Sequence, residues 1–157
     1  MPSWTSLFVA SAIATGAVVT AKPEQIRAVQ DPIFHYYLQA YPDDPTIPVM
    51  GPETSSEYFN IEGGAIQSTN SSTYLAVGDD DTSYKTLTLA DSADAPGWSL
   101  EGDTIITATD SEWGRQLNFL VCDLGDDYWQ VYLQTGSDVP SGKTCSNYQS
   151  LHLPCIC

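Results

Sequence analysis

The chain has 157 residues, with 20 Asp and Glu against five Lys and Arg, for a formal net charge of −15. Five basic residues cannot assemble a patch that displaces phosphate counterions, which excludes nucleic acid as a partner, and an anionic membrane surface fails on the same count. A hydrophobic share of 42%, with 4 Trp, 9 Tyr and 4 Phe, excludes a disordered acidic tail and predicts one acidic globular domain, expected to be a monomer.

Residues 4–21 carry no charge, and their apolar run from Leu7 to Val19 has the length of a signal-peptide core rather than a membrane span. Val19-Thr20-Ala21 suits signal peptidase, so residues 1–21 are expected to be removed and the product secreted. Residues 22–33, with Pro23 and Pro32, read as a polar lead-in. Residues 34–157 read as a single β domain with a disulfide-stapled C-terminal tail. No later apolar run is long enough to cross a bilayer.

Within that domain, short apolar alternations recur between turn signals. Phe34 to Ala40 predicts a strand, stopped by Tyr41-Pro42-Asp43-Asp44-Pro45. Tyr58 to Ile61 and Ala65 to Gln67 flank a turn at Glu62-Gly63-Gly64. Thr73 to Val77, Leu87 to Leu89, Trp98 to Leu100, Thr104 to Thr107, Leu117 to Cys122 and Trp129 to Leu133 follow. A spacing near ten residues with β-branched and aromatic enrichment predicts an all-β domain of about 9–12 short antiparallel strands, a β-trefoil-like barrel or a β-sandwich. Helix is expected to be scarce, because nothing after Ala21 sustains a helical apolar period.

Phe59-Asn60-Ile61-Glu62-Gly63-Gly64-Ala65-Ile66 matches Trp98-Ser99-Leu100-Glu101-Gly102-Asp103-Thr104-Ile105 position by position. Each predicts a hairpin with inward apolar residues and a glycine turn. A weaker third copy starts at Trp129-Gln130-Val131. The pattern places Trp98 and Trp129 in the core.

Cys122, Cys145, Cys155 and Cys157 are even in number and suit an exported chain. A ring between Cys155 and Cys157 is strained, so each is expected to pair elsewhere, stapling the tail to the strand of Cys122 and the loop of Cys145. Cys-x-Cys alone is a poor metal pattern. Asn70-Ser71-Ser72 lies in a polar run and is the one N-glycosylation sequon.

Signals for catalysis are weak. A small secreted ribonuclease would need His35, Arg115 and His152 to converge, with Glu101 or Glu112 as base, and the net charge would repel RNA. Twenty carboxylates make a suitably spaced pair almost inevitable, so pairing carries no signal for glycoside hydrolysis. Asp79, Asp81 and Ser83 have the first spacings of a calcium loop, but Tyr84 stands where the loop needs Gly and Ala90 where it needs Glu. No cofactor, metal or catalytic constellation is expected. Trp113, between Glu112 and Gly114 in a polar loop, is the one candidate for stacking on a sugar.

The runs Tyr58 to Ile66, Ala95-Pro96-Gly97-Trp98-Ser99-Leu100 and Phe119-Leu120-Val121-Cys122, with Trp129-Gln130-Val131-Tyr132 and Gly142-Lys143-Thr144-Cys145, resemble the fungal PhiA-like cell-wall proteins. More distantly they are similar to the C-terminal domain of Pir-type cell-wall mannoproteins. The likeness spans about residues 32–150. It implies a secreted, wall-associated, non-enzymatic glycoprotein with a compact β domain, whose partner is wall polysaccharide or extracellular matrix. The rival expectation is a secreted effector or toxin-like protein, a small hydrolase or inhibitor acting on another organism.

Overall fold

The computed structural model describes residues 22–93 and 95–154. The expected signal peptide, Cys155 and Cys157 lie outside the described residues. The chain is all-β: β1 (Arg27–Ala28), β2 (Tyr37–Tyr41), β3 (Asp44–Gly51), a 3-10 turn (Glu53–Ser55), β4 (Phe59–Glu62), β5 (Ala65–Ser68), β6 (Tyr74–Val77), β7 (Tyr84–Ala90), β8 (Trp98–Glu101), β9 (Thr104–Thr107), β10 (Phe119–Gly125), β11 (Tyr128–Gln134), β12 (Cys145–Gln149) and β13 (Leu151–His152). Every pairing is antiparallel, in the order β4-β5-β6-β7-β11-β3-β2-β1-β13-β9-β8, with β10 joining β11 to β12. The sheet curls into a single, nearly closed barrel.

Closure comes from the two ends of that order meeting. The Gly64 carbonyl, in the β4–β5 turn, accepts the N–H groups of Gly97 (3.1 Å) and Trp98 (2.9 Å) at the start of β8. Edge groups that would otherwise face water are thereby paired. Gly64 has φ +79°, and a Cβ there would lie 3.1 Å from the Pro96 Cα, so this approach demands glycine. On the other side of β4, Phe59 and Glu24 exchange two backbone hydrogen bonds of 2.8 and 2.9 Å.

The alternation of the strands sends one face of each inward. Phe59, Ile66, Trp98, Ile105, Phe119 and Leu133 fill the barrel, each burial contributing about 1.5–3 kcal/mol. Trp98 stacks on Phe119 with ring centroids 6.3 Å apart. Its indole N–H donates to the Leu75 carbonyl at 2.8 Å, which satisfies the one polar atom it buries. Trp129 is partly buried against the same core. A buried carboxylate, Glu57, joins β2 to β5: it accepts the Ala40 N–H and the Ser68 hydroxyl, the latter at 2.6 Å.

Several elements differ from the expectations. β2 starts at Tyr37 rather than Phe34, because the chain turns through residues 33–36 with His35 in the left-handed region (φ 63°). The stop read at Tyr41 to Pro45 is the turn at Pro42-Asp43 that ends β2, but β3 follows at once, from Asp44 through Pro45 and Pro48 to Gly51, where no strand was expected. Pro48 sits one residue before the part of β3 that is paired on both sides, so its missing N–H breaks no ladder bond to β11. Residues 22–33 are not merely a lead-in: they supply β1, and Ile26, Ala28 and Ile33 are fully buried. The two repeated hairpins form with one register, Ile61 opposite Ile66 and Leu100 opposite Ile105. The third copy is no hairpin, since Trp129 lies inside β11, which runs straight on to Gln134.

The expected pairing of cysteines is also corrected. Cys122 and Cys145 are directly opposite each other in the β10–β12 ladder and are bonded to one another. The bond staples strand to strand, and neither sulfur is left for Cys155 or Cys157. Strand register made these two partners, and sequence spacing does not reveal register.

Candidate functional site

Trp113 stands in the loop between β9 and β10, and backbone bonding holds that loop in one conformation. Thr107 N–H donates to the Gln116 carbonyl (2.9 Å), Ala108 N–H to the Gly97 carbonyl (3.0 Å) and Gly114 N–H to the Ser111 carbonyl (3.1 Å). Gln116 Nε2 donates to the carbonyl of Trp113 itself at 3.1 Å. Gly114, at φ +65°, makes the turn that follows the indole. So anchored, Trp113 is half-buried, packing against the core.

It also lines a cleft of about 260 Å³ with Gly78, Asp79, Asp80, Asp81, Lys85 and Glu112. Two of these side chains build the wall. Asp80 Oδ2 accepts the Thr86 N–H at 2.6 Å, and Lys85 Nζ donates to the Asp80 carbonyl. Asp79, Asp81 and Glu112 are exposed. The cleft therefore combines a fixed aromatic surface with carboxylates that accept hydrogen bonds, the composition that holds the apolar face and the hydroxyls of a sugar ring. Ser83, third in the calcium-like spacing, turns elsewhere: its hydroxyl accepts the Asp138 N–H at 2.9 Å.

The residues considered for a ribonuclease are distributed differently. His35 is exposed and stacks on Phe34, ring centroids 3.9 Å apart. Arg115 grips Glu101 with Nε (2.6 Å) and Nη2. That grip holds the Glu101 carboxyl below its ordinary pKa, chiefly through the Arg115 hydrogen bonds. His152 reaches Asp103, on the same β8–β9 turn, at 3.4 Å. Arg115 and His152 thus come to one hairpin while His35 stays in the β1–β2 loop, and none of the three lines the Trp113 cleft.

Asn70 is exposed in the β5–β6 turn, where its N–H donates to Ser68 Oγ at 3.1 Å. The acidic pairs sit in hairpin turns as well. Tyr41 and Tyr128, beside two of these turns, meet edge to face at 5.7 Å. The Tyr41 hydroxyl is pushed above its ordinary pKa, first by burial and then by Asp43. Ser150 and Asp103, which the sequence does not single out, both contact the His152 ring.

No protein-family model, curated protein or solved structure matches this chain. No helix among the described residues is long and apolar enough to cross a membrane.

Proposed function

We propose that the protein is a secreted, cell-wall-associated glycoprotein of the PhiA-like kind, with a structural or binding role toward wall polysaccharide. The Trp113 cleft is its binding surface. The observation that carries this reading is the cleft itself: an indole fixed by its loop, with Asp79, Asp81 and Glu112 beside it. A surface already rigid before binding loses little conformational freedom when a ligand docks, which favours a standing interaction with a polymer. The exposed position of Asn70 supports glycosylation, and the Cys122–Cys145 bond supports an oxidising destination.

The test is a pull-down of the secreted protein on chitin, β-glucan and mannan. Retention on at least one is expected, with a loss of about tenfold or more in Trp113→Ala, in keeping with about 1–2 kcal/mol for a stacked aromatic. Because Trp113 also touches the core, Asp79→Asn with Asp81→Asn supplies a second variant, expected to weaken binding with an unchanged circular dichroism spectrum. No retention on any of the three polymers overturns the proposal, as does retention that neither variant changes.

A further inference from the structure

Outside the Trp113 cleft, one cluster has an arrangement that packing alone does not require. Arg27 in β1 lies opposite His152 in β13, and His152 lies opposite Thr104 in β9. Their strand neighbours Ala28, Leu151 and Ile105 are buried in the barrel, so Arg27, His152 and Thr104 share its outer face. His152 Nε2 is 2.8 Å from Ser150 Oγ. On the other side of the ring, Nδ1 is 3.3 Å from Thr104 Oγ1 and 3.4 Å from Asp103 Oδ1. The His152 side chain is 19% exposed and that of Asp103 is 58% exposed.

We propose that Ser150, His152 and Asp103 form an acyl-transfer relay, an activity that goes beyond the binding role above and does not rest on it. Two geometric conditions for an activated serine are met: a hydroxyl within reach of an imidazole nitrogen and a carboxylate at the opposite nitrogen, with His152 on β13, Ser150 just before it and Asp103 in the β8–β9 turn. In the tautomer that carries its proton on Nδ1, toward Asp103 and Thr104, Nε2 is the free base facing Ser150. Arg27 adds a cation directly opposite His152.

In the first step Ser150 Oγ attacks the carbonyl carbon of an ester while His152 Nε2 takes the hydroxyl proton. The positive charge of Arg27, on the strand opposite His152, favours the tetrahedral oxyanion through space. On collapse the ester C–O bond breaks, His152 returns the proton to the departing oxygen, and an alcohol leaves with the acyl group held on Ser150. Water, deprotonated by His152, then attacks that acyl carbon, the bond to Oγ breaks, and Ser150 regains its proton as the carboxylic acid departs. A chain of net charge −15 repels anions, so the substrate class is a neutral ester, such as an O-acyl group on an uncharged carbohydrate.

The full secreted protein is treated with a fluorophosphonate and mapped by mass spectrometry, and p-nitrophenyl acetate hydrolysis is followed in parallel. The expected result is covalent label on Ser150, lost in Ser150→Ala. Hydrolysis is expected to fall by about 100-fold or more in Ser150→Ala and in His152→Gln. Asp103→Asn is expected to lower it only about two- to fivefold, because an exposed carboxylate orients the ring weakly. Ser150 is only partly buried, so its alanine variant keeps the native circular dichroism spectrum. Absence of label on Ser150, or hydrolysis unchanged in Ser150→Ala, overturns the proposal.

Discussion

The hairpins β4–β5 and β8–β9 carry one sequence pattern and one register, yet they do different things. In both, an aromatic residue begins the first strand and is buried, Phe59 fully and Trp98 to 4% exposure. The second turn residue differs: Gly64 in the first hairpin, Asp103 in the second. Gly64 has no side chain, so the β8 backbone approaches it and the barrel closes there. Asp103 keeps its side chain in solvent and directs it to His152, while Glu101 beside it holds Arg115. A local pattern thus determines that a hairpin forms, and one residue in its turn determines whether the hairpin closes the sheet or carries polar chemistry.

The largest expected effect tests whether the two hairpins are equivalent in the core. Phe59→Ala and Trp98→Ala should each cost about 3–5 kcal/mol in chemical unfolding. Trp98→Phe should cost about 1–2 kcal/mol by leaving the Leu75 carbonyl unpaired, a penalty with no counterpart in the first hairpin. A Trp98→Ala cost below that of Trp98→Phe would break the comparison.

The glycines sharpen it next. Gly102→Ala has nothing within 4 Å of the new methyl and bears only the left-handed backbone penalty, about 1–2 kcal/mol. Gly64→Ala adds a collision with the Pro96 backbone and should cost about 2–4 kcal/mol. Equal losses would show that the Gly64 contact is not what closes the barrel.

The smallest effect belongs to the exposed Glu101–Arg115 pair, which has no equivalent at Glu62 among the described residues. The folded-state pKa of Glu101 is lowered, so the contribution of the pair is present above the ordinary glutamate range and is lost as pH falls through the folded value. Melting curves of the protein and of Arg115→Gln should therefore differ slightly at neutral pH and coincide in strong acid. A difference that persists in acid would place the effect of Arg115 in packing instead.

Much of the architecture was legible because the signals were local. Strands such as β5 and β6 alternate cleanly, and Gly63-Gly64 and Gly102-Asp103 announce their turns. What escaped was non-local. β1 and β13 have two residues each, too few for a period, and exist because their neighbours pair with them. β3 carries Pro45 and Pro48, which argue against a strand, and only the reach of β11 shows where a missing N–H does no harm. At the candidate site, Trp113 was legible as an aromatic residue in a polar loop. Its partner loop, Gly78 to Asp81, is remote in sequence and arrives through the β6–β7 connection. Ser150 and His152 are neighbours along the chain, whereas Asp103 reaches them only because β9 pairs with β13.

The sequence by itself determined that this chain is acidic, all-β and built from short antiparallel strands, because alternation, turn glycines and net charge are properties of adjacent residues. Tertiary structure decided which strand lies beside which. From that order follow the bond between Cys122 and Cys145, the closure at Gly64, the wall that Asp79 to Asp81 give Trp113, and the carboxylate that faces His152. The physical reason is that strand pairing joins residues by register across the sheet, and register is set by the packing of the whole core.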